Sequence, residues 1–226
     1  MPADTQPNTV ENVTDRTSNP FGMRAPCEEF WPNGPVGPHE HSAVFGYGDA
    51  NADFHVIGDH PGVHGGRSTG VPFTDSPGGE RIQRVLSRTG FAAETYADEP
   101  TLENCFLSYV HLCTPPEGES PTFASYAALE RFFDAELRAI NAHILLPVGD
   151  HATAHVLEEY TTQSRKLPRT AAAIHAAQIR GRGFLVVPIA EPADWSDDDE
   201  DRLVSVLDAL LASDYRQTKG VPTMIG

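Results

Sequence analysis

Four short apolar runs punctuate the chain, each of the length of a buried strand: "DFHVIG" (53–58), "CFLSYVHL" (105–112), "HILLPVG" (143–149) and "GFLVVPIA" (183–190). Stretches with apolar residues at helical spacing separate them. In "GGERIQRVLSRTGF" (78–91), Ile82, Val85 and Leu86 share one face and Gly90 ends the pattern. "FASYAALERFFDAELRAIN" (123–141) predicts a long amphipathic helix and "DHATAHVLEEY" (150–160) another. "SDDDEDRLVSVLDALLA" (196–212) predicts a last helix, whose acidic start suits the positive end of the helix dipole. "TPPEGESPT" (114–122) is a turn-rich break.

Strands alternating with helices predict an α/β fold, a three-layer α/β/α sandwich with a central, mostly parallel four-stranded sheet. Ligands of such sheets bind beyond the carboxyl ends of the strands. That rule selects the loops 58–78, 109–121 and 188–196. The 226 residues, 39% of them hydrophobic, suit one domain with a full core. The expected division is a polar arm at 1–21, the domain at 22–213 and a tail at 214–226. The first twenty residues lack the apolar segment of a signal peptide, and no run reaches membrane-spanning length. A cytoplasmic monomer is expected.

Charge changes the picture next. Thirty-two acidic residues against sixteen basic ones give a net charge of −16, and only Lys166 and Lys219 are lysines. This reads as adaptation to concentrated salt, as in a halophilic archaeon, and then says little about the partner. The distribution says more. From Thr161 to Ala190 there is no Asp or Glu, while Arg165, Lys166, Arg169, Arg180 and Arg182 all fall there. The loop from His60 to Thr74 is also free of acids and carries Arg67. Both stretches are expected to face phosphate.

Cys27, Cys105 and Cys113 are too few and too unevenly spaced for a disulfide framework, and Cys105 reads as a core residue. His39, His41, His55, His60 and His64 lack the helix-held spacing of a metal site. Solvated histidines and no bound metal are expected.

The most unusual stretch is "VIGDHPGVHGGRSTGVPFTD" (56–75), which sets five glycines directly after a buried strand. Such permissive backbone lets N–H groups approach a flat or anionic ligand closely. It is neither a dinucleotide fingerprint nor a P-loop. The run "GDHPGVHGGRSTGVPFTDSPGGERIQRVL" resembles the first active-site motif of the uracil-DNA glycosylase superfamily, families 4 and 5. Those families carry a Gly-Glu-Ala-Pro-Gly or Gly-Leu-Ala-Pro loop, then Thr-Gly-x-Pro-Phe, then a helix; "VHGGRSTG" leans towards family 5. "NCFLSYVHLCTPPEGESPTFASYAALERFFDAELRAINAHILLPVGDHA" is similar to the family's strand, Lys-Cys-Arg-Pro-Pro turn, long helix and following strand. "IRGRGFLVVPIAEPADW" falls where the family has its last strand and His-Pro-Ser motif. The resemblance spans roughly residues 22–212.

It implies an enzyme that extrudes a base from DNA and hydrolyses its glycosidic bond. Phe73 would stack on the flipped base; the alternative is a core aromatic. An acid near the anomeric carbon would position water. Asp59 stands where family 4 has its Glu, and Asp75 lies close to the catalytic Asp of family 5, although a capping role is open for either. Asp59 would project into the cavity whose wall Phe73 supplies. Gly58, Pro61, Gly62 and His64 would line the base site.

Three departures from the pattern stand out. Tyr109 replaces the base-reading Asn, and a hydroxyl cannot reproduce a bidentate amide. Glu191 replaces the last motif's His, exchanging a donor for an anion. Families 4 and 5 also hold a four-iron cluster on four cysteines; here Cys27 and Cys113 match two positions and Phe30 stands in a third. A cluster is therefore not expected, and no other cofactor is. Three functions stay open. They are a glycosylase acting on uracil or another deaminated base in DNA, a degenerate relative that binds damaged or single-stranded DNA, and a nucleotide or nucleoside hydrolase.

Overall fold

The computed structural model describes residues 27–32, 40–168 and 170–213. The arm at 1–21, the tail at 214–226, His39 and Arg169 lie outside the described residues. The strands are β1 (Tyr47–Gly48), β2 (Phe54–Gly58), β3 (Cys105–Tyr109), β4 (Ile144–Pro147), β5 (Ile179–Arg180) and β6 (Leu185–Val186). The helices are α1 (Cys27–Phe30), α2 (Pro61–His64), α3 (Pro77–Arg88), α4 (Phe123–Ile140), α5 (Gly149–Tyr160) and α6 (Asp197–Leu211).

The sheet order is β1-β3-β2-β4-β6-β5. Its four inner strands are parallel, while β1 and β5 pair antiparallel at the two edges. The α/β class is as expected, but the sheet has six strands rather than four. The two additional strands are two residues each, too short for an alternating or continuous apolar pattern to register.

Side chains of β2 divide between the two faces, as the pleat requires. Phe54 and Val56 pack with α3 (Ile82, Val85, Leu86) and α6 (Leu203, Leu207). Ile57 packs on the other side with Phe133 and Leu137 of α4 and Val156 and Leu157 of α5. Three layers follow from this division.

Local signals fix the helix ends. Ser76 caps α3 by accepting the Gly79 N–H, with Pro77 at the first helical position. Thr122 and Ser125 form a capping box on α4, and Asn141 closes that helix in the left-handed conformation, φ 53°. Ser196 caps α6, whose first turn carries Asp197, Asp198, Asp199 and Glu200.

The cysteines differ from the sequence reading. Cys27 and Cys113 are joined in a disulfide, with Cα atoms 5.3 Å apart, while Cys105 is a buried free thiol. Three cysteines without regular spacing gave no reason to expect a pairing 86 residues apart. The bond holds α1 against Leu112, Leu129 and Phe132. Sulfurs bonded to each other cannot serve as cluster thiolates, and Phe30 packs beside them, so this site does not fit an iron–sulfur cluster. Among the described residues no group of three or more His, Cys, Asp or Glu is placed to hold a metal ion. No described helix is long and apolar enough to cross a membrane.

Candidate active site

The loop after β2 leaves the carboxyl edge of the sheet, between the ends of β3 and β4. Gly58 faces the α3 side of the sheet, while Ile57 and Asp59 on either side of it face α4 and α5, and two distinct groupings result.

On the α3 face, Phe73, Tyr109 and His64 form a closed aromatic cluster. Phe73 is fully buried, 5.4 Å from the Tyr109 ring and 5.6 Å from His64. The Tyr109 hydroxyl accepts the Phe73 N–H at 2.8 Å and donates to the Gly65 carbonyl at 3.0 Å. These two bonds tie the start of the glycine loop to its end. Gly58 lies beneath the rings, where an added Cβ would come within 2.6 Å of Tyr109 and 2.8 Å of Phe73. Phe73 itself takes φ 58°, rare for a bulky residue, and Gln83 Nε2 donates to its carbonyl at 3.0 Å.

His64 connects this cluster with the third loop. Its Nδ1 accepts the Asp59 N–H at 2.9 Å, so Nε2 carries the proton and donates to Glu191 Oε2 at 3.2 Å. Asp75 serves the same loop. Its carboxylate accepts from Gly66 N–H (2.6 Å), Ser68 N–H (2.8 Å) and the Ser68 hydroxyl (2.5 Å). Pro61 and Gly62 open the short helix α2, where the His60 side chain accepts the Gly62 N–H.

On the other face the Asp59 carboxylate lines a cleft of about 780 Å³. His60, Val110, Tyr126, His151 and His155 line it too, and Phe123, 90% exposed, stands at its rim. The Tyr126 hydroxyl donates to Asp59 Oδ1 at 2.5 Å, and His151 Nδ1 lies 3.1 Å from the same oxygen. Burial alone would raise the Asp59 pKa, but the bonds from His151 and Tyr126 outweigh it and hold the carboxyl below its ordinary value. The bond to Asp59 in turn raises the His151 pKa against a smaller opposing effect of burial.

Neither Phe73 nor Tyr109 lines this cleft. The expectation that Asp59 projects into a cavity walled by Phe73 is thus corrected: Asp59 turns to the α4 and α5 side, whereas the loop folds Phe73 back over Gly58 on the α3 side. Tyr126 and His151 escaped the sequence reading. The signal was available for His151, since "LLPVGDH" puts it in the first turn of a helix at the carboxyl end of a strand.

The cationic residues divide as well. Arg67 lies near the glycine loop and pairs with Glu40 at 3.6 Å. Arg180 is opposite Leu185, which pairs with Ile144, which pairs with Phe54. That register puts Arg180 at the amino end of the parallel strands, away from Asp59. The Arg182 N–H donates to the carbonyl of Tyr160, the last residue of α5, and Arg165 and Lys166 follow the same helix end. These four residues do not border the cleft.

A mostly parallel sheet covered by helices on both faces, with a glycine loop and Asp59 at its carboxyl edge, defines a doubly covered α/β protein. The chain belongs to the uracil DNA glycosylase superfamily, whose family model matches residues 45–210. It is similar to the type-5 uracil-DNA glycosylase of Thermus thermophilus, 30% identical over 103 residues, covering 44% of this chain and 47% of that one. The corresponding protein of Pyrobaculum aerophilum is 27% identical over 116 residues, 50% of this chain and 51% of the relative. That of Mycobacterium leprae is 25% identical over 138 residues, 58% and 60% respectively. The chain spans about half the length of the curated relatives it matches.

Proposed function

We propose that the chain is a base-excision repair hydrolase that cleaves the N-glycosidic bond to uracil or another deaminated base in DNA. One observation carries this reading: Asp59 is held ionised at the carboxyl edge of the sheet, on an open cleft large enough for a nucleoside. Leaving of the base gives the sugar oxocarbenium character. A fixed carboxylate offsets that positive charge and orients water towards the anomeric carbon. Asp75 has its acceptors engaged by the loop and acts there as a structural anchor. On this reading the protein works as a cytoplasmic monomer, and its acidity suits concentrated salt.

A second reading, a relative that binds DNA without cutting it, is favoured by the closed Phe73–Tyr109–His64 cluster, which leaves Phe73 no exposed face for a base. Incubation in molar KCl with oligonucleotides bearing uracil, hypoxanthine or xanthine separates the two. Free base and an alkali-labile abasic site are expected from at least one substrate. Tight binding with no base released from any would leave the non-cleaving reading standing instead.

A further inference from the structure

Two donors from different helices converge on a single oxygen of Asp59. Tyr126 comes from the first turn of α4 and His151 from the first turn of α5, and both reach Oδ1. Their rings pack on each other with centroids 4.2 Å apart, so each holds the other in place. Behind them, the Asp59 backbone is fixed at both ends: His64 Nδ1 accepts its N–H, and its carbonyl accepts the His111 N–H. Among the described residues nothing is bonded to Oδ2. His151 keeps 49% of its side chain exposed, against 17% for Asp59, so it reaches the carboxylate from the solvent side.

We infer that His151 is a positioning residue: its Nδ1–H, with the Tyr126 hydroxyl, pins Oδ1 so that Oδ2 is the oxygen presented to water and substrate. This rests on the hydrolase reading of Asp59 and adds a residue on α5 that fixes the orientation and ionisation of the acid.

The charged and titratable surroundings set the sign of the pH effect. His60 and His111 face Asp59 from its own loop and from the segment after β3, Tyr126 and Glu130 from α4, and His151, His155, Glu158 and Glu159 from α5. Of these, His151 and Tyr126 bond the carboxylate directly, and both favour its charged form. Removing His151 takes away a donor and a positive charge, so Asp59 gains its proton at higher pH. Above the raised His151 pKa the neutral ring still donates from Nδ1, so orientation outlasts the charge.

The test uses the full chain as wild type, His151→Ala and His151→Asn, the last keeping an N–H near the position of Nδ1. Carboxyl-carbon NMR follows the Asp59 titration, and base release is followed across pH. In His151→Ala the Asp59 titration and the acid limb of kcat should both move to higher pH, with KM little changed. His151→Asn should recover part of the shift. A role in packing alone would lower the thermal midpoint and leave the titration where it was. An Asp59 titration identical in wild type and His151→Ala overturns the inference. If wild type releases no base from any substrate while the titration does shift, the positioning pair stands and only the hydrolase reading fails.

Discussion

At Tyr109 a single hydroxyl closes the glycine loop on itself, accepting from Phe73 and donating to Gly65 across a fully buried site. Burial pushes its pKa far up, so the phenol stays neutral and keeps its proton for Gly65. Tyr109→Phe preserves the ring packing but strands one buried N–H and one buried carbonyl. A loss of about 1–3 kcal/mol is expected in urea denaturation; a midpoint equal to wild type would show that the loop does not depend on these bonds. The sequence marked Tyr109 as a departure from the family pattern but not its consequence. All five residues of β3 are buried, so no polar–apolar alternation told which face each side chain takes. The same ambiguity in β2 hid the separation of Asp59 from Phe73.

Elements were legible in proportion to their length. The inner strands β2, β3 and β4 and the helices α3 to α6 have long or periodic patterns, and β6 is two residues within the longer apolar run 183–190. Helix starts are written in Ser76, Thr122 and Ser196. The edge strands β1 and β5 carry two residues each and depend on their neighbours for existence. The glycine loop was visible as a loop; that Asp75 organises it was not, because its partners Gly66 and Ser68 are found only once the chain has turned back. Asp75→Ala removes the acceptor of two backbone N–H groups and one hydroxyl. It should destabilise the loop by about 1–3 kcal/mol, seen as faster amide exchange at Gly66 and Ser68. Unchanged exchange would contradict the anchoring role and return Asp75 to consideration as a reacting acid.

Across the whole molecule, titratable groups are buried in the core as well as at the edge of the cleft. Burial pushes the Glu136 carboxyl up to about 7, although Ser108 and the Gly46 N–H partly stabilise its charged form. Burial lowers His55 to about 3 and His111 to about 4. A carboxyl with a raised folded-state pKa stabilises the fold while protonated, and that contribution is lost as pH rises from the unfolded value near 4.5 through about 7. The histidines act in the opposite sense: stability falls as pH drops below 6.5, where the unfolded chain takes up protons that the buried rings do not. Glu136→Gln stays neutral throughout. Its thermal midpoint relative to wild type should therefore rise between pH 5 and pH 8; an offset independent of pH would mean that Glu136 does not titrate in the fold.

Asp59 is the residue on which the functional account turns, and one comparison tests it directly. Wild type and Asp59→Asn are incubated with an oligonucleotide that wild type processes, and the released base is quantified alongside binding to the intact strand. Asparagine keeps the shape of the side chain and removes the charge that would stabilise the oxocarbenium ion. Base release should fall by roughly 10²–10⁴-fold, the range typical of a lost acid–base group, while DNA affinity stays the same or improves slightly. Release by Asp59→Asn at the wild-type rate would contradict the account.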